Sequence, residues 1–137
     1  MNSQPQDPPL GRHEGQGSRD VVVCRVEELP VGAVKMVPVG KFGVGVYNVN
    51  GELYGVTNYC PHEGAPICLG RVQGTTQFDP DAKTHRGFRY VDDGCILRCC
   101  WHQWEFDIRT GRSVAKPERR VKVYKVRVEN GEVILTR

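Results

Sequence analysis

Two short segments carry the residue types that can do chemistry. Cys60-Pro61-His62 supplies a thiol and an imidazole in the order Cys-x-His, and Cys99-Cys100-Trp101-His102 supplies the same pair as Cys-x-x-His. Two thiolates and two imidazoles have few uses as a set. One is a tetrahedral zinc site. The other is a [2Fe–2S] centre with cysteines on one iron and histidines on the other. The spacing favours the iron–sulfur centre. A short Cys-x-His pair on an extended loop splays its side chains apart, so each iron can take one of them, and a second such loop completes both irons. Zinc needs four ligands converging on one point, and zinc modules more often use Cys-x₂₋₄-Cys and His-x₃₋₅-His pairs.

The flanking residues read Cys60-Pro61-His62-Glu63-Gly64-Ala65-Pro66-Ile67-Cys68-Leu69-Gly70 and Cys99-Cys100-Trp101-His102-Gln103-Trp104-Glu105-Phe106-Asp107, with Thr110-Gly111 just beyond. This double motif resembles the Rieske-type ferredoxin family, and the resemblance runs from about Val34 to about Leu135. It implies an all-β Rieske-type fold, antiparallel sheets with a two-loop cluster-binding subdomain. It also implies one [2Fe–2S] cluster, with Cys60 and Cys99 on one iron and His62 and His102 on the other. The histidine-bound iron is the more exposed in the family, which makes His62 and His102 the expected electron gate.

The expected function is a one-electron carrier that takes an electron from a reductase and gives it to a terminal oxygenase or similar oxidoreductase. Two alternatives stand beside it. One is a cluster-bearing small subunit of a larger, nitrite-reductase-like oxidoreductase; the other is a structural zinc module. No catalytic residue is assigned. The chain holds no flavin or NAD fingerprint, and it lacks room for the iron-bearing catalytic domain of an oxygenase.

Departures from the family pattern are informative. High-potential respiratory members have two further cysteines where Ala65 and Trp101 stand here, and a serine and a tyrosine where Gln103 and Glu105 stand. Hydroxyl donors to cluster sulfur favour the reduced state, so their absence predicts a potential near the low end of the Rieske range, ~ −150 mV. Cys100 replaces a common proline and makes a second candidate thiol, although Cys99 keeps the family spacing. Gln103 replaces a glycine, which predicts a strained or reshaped loop. Cys68 and Cys100 lie on opposite loops; free thiols are expected, with a disulfide between them as the alternative. Trp101 and Trp104 flank the last ligand and read as walls that keep water from the centre, with an exposed Trp101 that docks a partner as the alternative, while Glu63 reads as a solvated charge.

The 137 residues suffice for one domain with a core. The net charge of +3 is too small to argue for nucleic acid. No apolar run approaches the roughly 18–20 residues that span a bilayer, and the first twenty residues lack a secretory h-region. A cytoplasmic protein without membrane or nucleic-acid partners is expected. Six cysteines in such a setting are not a disulfide framework, and Cys24 and Cys95 read as small buried hydrophobes.

Residues 1–18, rich in Pro, Gly and Gln, read as a flexible tail that includes His13, and 19–137 as a single domain. Strands are expected over 21–26, 33–39, 42–49, 53–57, 95–98, 104–108, 121–128 and 132–136, with a bulge near Tyr124 where the apolar phase shifts. Asn50-Gly51 and Asn130-Gly131 are hairpin signals. Residues 58–70 form the first ligand loop, and Lys116-Pro117-Glu118 a further loop that the resemblance places near the centre. Thirty-six residues separate His62 from Cys99. The stretch 73–93 therefore reads as an inserted irregular loop, with Phe78, Phe88 and Tyr90 as anchors, His85 as a non-ligand, and a role in partner specificity.

Overall fold

The computed structural model describes residues 19–81 and 87–137. The tail assigned to 1–18, with His13, and His85 therefore lie outside the described residues. Among the described residues nine strands follow in order: β1 Asp20–Arg25, β2 Val34–Val37, β3 Val44–Val49, β4 Glu52–Thr57, β5 Arg71–Phe78, β6 Phe88–Arg98, β7 Glu105–Asp107, β8 Val123–Glu129 and β9 Glu132–Thr136. All pairings are antiparallel. Six strands form one sheet in the order β1-β9-β8-β4-β3-β2, and three form a second in the order β5-β6-β7.

Strand β3 joins two cores. Successive side chains on a strand point to opposite faces, and on β3 both faces are buried. Val44 and Val46 pack with Val21, Val23, Val133 and Leu135 inside the large sheet. Tyr47 and Val49 pack on the other side with Ile67, Leu97, Phe106 and Ile108 of the small sheet and its loops. A fully buried valine or leucine contributes about 1.5–3 kcal/mol, so this strand fixes the position of one sheet against the other. The two tight turns form as their sequences dictate. Asn50-Gly51 has φ of 53° and 101°, and Asn130-Gly131 has 52° and 76°, the positive pair that a type I′ hairpin requires.

Two expectations are corrected. The stretch read as an irregular loop over 73–93 is largely strand: β5 and β6 pair out to Phe78 opposite Phe88. Its described residues are mostly exposed, Phe78, Phe88 and Tyr90 among them, so no alternation of buried apolar residues marked them. An offset divides this long hairpin, because the register passes from Gln73–Ile96 to Thr75–Val91. Asp92 and Gly94 take positive φ there, and Asn50 donates to the Asp93 carbonyl at 3.2 Å. The bulge expected near Tyr124 is absent, since β8 pairs regularly with β4 and β9. The apolar phase shifts because Val121 precedes the strand and packs in the core beneath the ligand loops, whereas Tyr124 and Val126 face the other core. The register shifts lie instead in β1, between Val22 and Cys24, and in β5.

Candidate metal centre

Strand β4 delivers the chain into one loop and β6 into the other, and the two loops have the same backbone frame. The Cys60 amide donates to the Ala65 carbonyl (2.8 Å) and the Cys99 amide to the Trp104 carbonyl (2.7 Å). The Gly64 amide returns to the Cys60 carbonyl (2.7 Å) and the Gln103 amide to the Cys99 carbonyl (3.1 Å). Gly64 (φ 79°) and Gln103 (φ 63°) hold the left-handed position of each loop. Gln103 thus adopts the glycine-like backbone that the sequence comparison with the family anticipated. Below the first loop, the Asn58 side chain accepts from the Cys68 amide at 2.8 Å. At its exit Gly70 passes against the Arg98 carbonyl, leaving no room for a Cβ.

This frame sorts the four candidate ligands into two pairs. Cys60 and Cys99 lie at the base, each 1% exposed. His62 and His102 lie outside them with ring centroids 4.8 Å apart, edge to face. Burial pushes the Cys60 thiol up to about 11; the His62 backbone pulls against this, and the adjacent Cys99 thiol adds to the rise. A buried thiol pair of this kind is costly to ionise unless a cation shares the site. The His62 Nδ1 is buried without a hydrogen-bond partner, an unmet acceptor or donor that a metal would satisfy. The Nε2 of His102 faces Glu63 at 3.6 Å, which leaves its other ring nitrogen for a ligand role. Among the described residues no three His, Cys, Asp or Glu side chains are arranged to hold a single ion. Two buried thiols beneath two outer imidazoles suit a centre with two unlike metal positions.

The wall of the site comes from Trp104 just before β7, from β7 itself and from the loop after it. Trp104 stacks on His62 with centroids 4.3 Å apart and planes 15° from parallel, and Phe106 lies 6.3 Å behind it. The guanidinium of Arg119 covers the indole at 5.9 Å, and Lys116 lines a groove with Gln103 and Trp104. The loop around Lys116-Pro117-Glu118 thus packs on the wall. Trp101 is 56% exposed.

Cys100 is exposed, with its Sγ 3.8 Å from the Pro66 carbonyl. Cys68 is buried and faces the Val56 carbonyl at 3.6 Å. Both are free thiols, as are Cys24 and Cys95, which are buried in the two cores. The sequence missed two contacts: Glu63 against His102, and Arg119 over Trp104. Neither has a motif; each arises where loops distant in sequence meet.

Similarity to known proteins agrees with this geometry. The family model for the Rieske [2Fe-2S] domain matches residues 19–125. The ferredoxin component of the naphthalene 1,2-dioxygenase/salicylate 5-hydroxylase systems of a Ralstonia species is 28% identical over 80% of this chain and 88% of its own. The 3-phenylpropionate/cinnamic acid dioxygenase ferredoxin subunit of Photorhabdus laumondii is 28% identical over 83% and 90%. Among solved structures, the ferredoxin of Sphingomonas yanoikuyae B1 is 29% identical with a TM-score of 0.58, covering 83% of this chain and 94% of its own. The ferredoxin of carbazole 1,9a-dioxygenase from Nocardioides aromaticivorans shares the fold, with a TM-score of 0.64 over 87% and 98% at 24% identity. From the paired loops and the match over most of its length, the chain belongs to the Rieske [2Fe-2S] domain family and binds one [2Fe–2S] cluster.

Proposed function

We propose that this protein is a one-electron carrier, the ferredoxin component of a multicomponent oxygenase system, and that Cys60 and Cys99 hold one iron of its cluster while His62 and His102 hold the other. The observation that carries this is the division of the four side chains into a buried thiol pair and an outer imidazole pair, with the His62 Nδ1 orphaned. A cluster of this type supplies a reversible one-electron couple. The chain does the rest. The cysteines anchor the buried end, the histidines bring the outer end to the surface, and Trp104 keeps water from one side of His62. The relatives named above are ferredoxin components and subunits of dioxygenase systems, which supports a reductase as electron donor and a terminal oxygenase as acceptor. The carrier has no reaction of its own to catalyse. Among the described residues no helix is long and apolar enough to cross a membrane, which is compatible with a cytoplasmic site of action. The arm formed by β5 and β6 over 73–93, within a single domain spanning 19–137, would then be an elaboration of the carrier rather than a separate unit.

The test is the EPR spectrum of the dithionite-reduced protein, with iron, sulfide and zinc measured on the same sample. A rhombic two-iron signal with two irons and two sulfides is expected; stoichiometric zinc without sulfide would replace the carrier with a structural module. Cys99→Ser should lose the cluster and Cys100→Ser should keep it. The opposite pattern would move the ligand to Cys100. Elution of the protein purified from its own host as a free monomer separates a carrier from a fixed subunit of a larger oxidoreductase.

A further inference from the structure

Arg71 and Arg98 stand directly opposite each other on neighbouring antiparallel strands at the end of the small sheet nearest the ligand loops. Like charges in that relation repel. Arg98 has a partial remedy, because its Nη2 reaches Glu105 at 3.3 Å. That carboxylate already accepts from Gln73 at 3.2 Å and Thr75 at 2.7 Å. The Nε of Arg98 is buried without a hydrogen-bond partner, and among the described residues Arg71 has no ion-pair partner. Both arginines line an open groove of about 570 Å³ whose other walls are Leu69, Gly70, Cys99, Cys100 and Gln103. Leu69, on the rim, is 74% exposed, and Trp101, next to Cys100 in sequence, is 56% exposed. A charge-frustrated pair of arginines beside exposed apolar side chains is an incomplete interface.

We propose that this groove docks an electron-partner protein with an acidic contact surface, one partner carboxylate entering between Arg71 and Arg98 while Leu69 and Trp101 make the apolar contact. The proposal rests on the carrier role and names the electrostatic class of its partner. A carboxylate there relieves the repulsion between the two arginines. It also brings the partner against the loop that carries Cys99 and His102. The overall charge of +3 acts in the same direction at long range.

The probes are cytochrome b5, with a carboxylate-ringed haem edge, and cytochrome c, with a lysine-ringed one. The wild-type protein and Arg71→Glu are compared; the exposed strand position of Arg71 leaves the core untouched. Two readouts are taken: the Kd of the oxidised protein for ferric cytochrome b5 at low ionic strength, and the second-order rate at which the reduced protein reduces each cytochrome. Wild type should bind and reduce cytochrome b5 with a rate that falls as salt rises. Arg71→Glu should weaken binding and slow that rate by about tenfold at low salt, with the reduction potential and EPR spectrum unchanged. Its rate with cytochrome c should rise. Equal values for the variant and wild type at low salt overturn the docking surface, and so does a preference of wild type for cytochrome c. Inorganic phosphate that abolishes the Arg71 dependence at constant ionic strength makes the groove a free-anion site and overturns docking as well. Arg71-dependent binding without electron transfer to either cytochrome sinks the carrier role and leaves the surface standing.

Discussion

Gly64 and Gln103 occupy the same place in the two ligand loops: each amide bonds the carbonyl of the cysteine four residues earlier, and each residue has positive φ. Glycine holds that conformation freely, whereas a residue with a Cβ does so at a cost of about 1 kcal/mol or more. Gln103 is exposed, and among the described residues no hydrogen bond of its side chain offsets the strain. Gln103→Gly should therefore raise stability by about 1 kcal/mol, read as a higher urea midpoint for the loaded protein. A midpoint equal to wild type or lower would show that the glutamine is held by contacts worth as much as the strain.

The reduction potential tests the same loop from another side. Gln103 is exposed, and the Glu105 carboxylate is engaged by Arg98, Gln73 and Thr75. These two positions, where high-potential members of the family have hydroxyl groups, therefore contribute none here. A redox titration followed by EPR should give a midpoint near the low end of the Rieske range, ~ −150 mV. A value above zero would require donors to cluster sulfur that these side chains do not provide.

The ligand loops and the turns were legible in the sequence, and the arm was not, for one physical reason. Cys60, His62, Cys99 and His102 are chemically rare types at fixed spacing, and Asn50-Gly51 and Asn130-Gly131 meet a backbone requirement that few residues tolerate. Such signals are local. Gln73, Thr75, Thr76, Gln77 and Arg89 form strand because they pair across the hairpin, not because one face is buried, and pairing leaves no mark on composition. The relations of Arg119 to Trp104, Glu63 to His102 and Arg71 to Arg98 are likewise products of the assembled fold.

At the far edge of the large sheet, Asp20 clamps the first strand. Its carboxylate accepts from Arg127 at 2.7 Å and from Thr136 at 3.1 Å. The hydrogen bond from Arg127 holds the Asp20 carboxyl below its ordinary value of 3.8, against a smaller upward push from burial and with help from Thr136. The unfolded chain therefore takes up this proton at a higher pH than the folded one. The clamp's contribution is complete above about pH 4–5 and is lost as pH falls through the folded-state value. The pair is solvent-exposed, so the effect is small. Asp20→Asn should show a shallower loss of stability between about pH 4 and pH 2 than wild type. Parallel acid limbs in urea titrations of the two proteins would remove Asp20 from the account.

Trp104 connects the fold to the lifetime of the centre. It stacks on His62 at 4.3 Å, leans on Phe106, and is covered by Arg119. Among the described residues, it and His102 are the rings that pack against the His62 imidazole. Its strand neighbours are held by backbone pairing of β7 with β6, so truncation of the side chain should open the site without unfolding the sheet. In Trp104→Ala, water reaches the plane of His62 and the ring loses the surface that fixes its orientation. The visible absorption of the loaded protein should then bleach severalfold faster in air, with far-UV circular dichroism unchanged at the outset. Trp104→Phe keeps a flat apolar face against the imidazole and should bleach at close to the wild-type rate. If the alanine variant bleaches no faster than wild type, the protection of His62 comes from the loops themselves and the indole serves only the core.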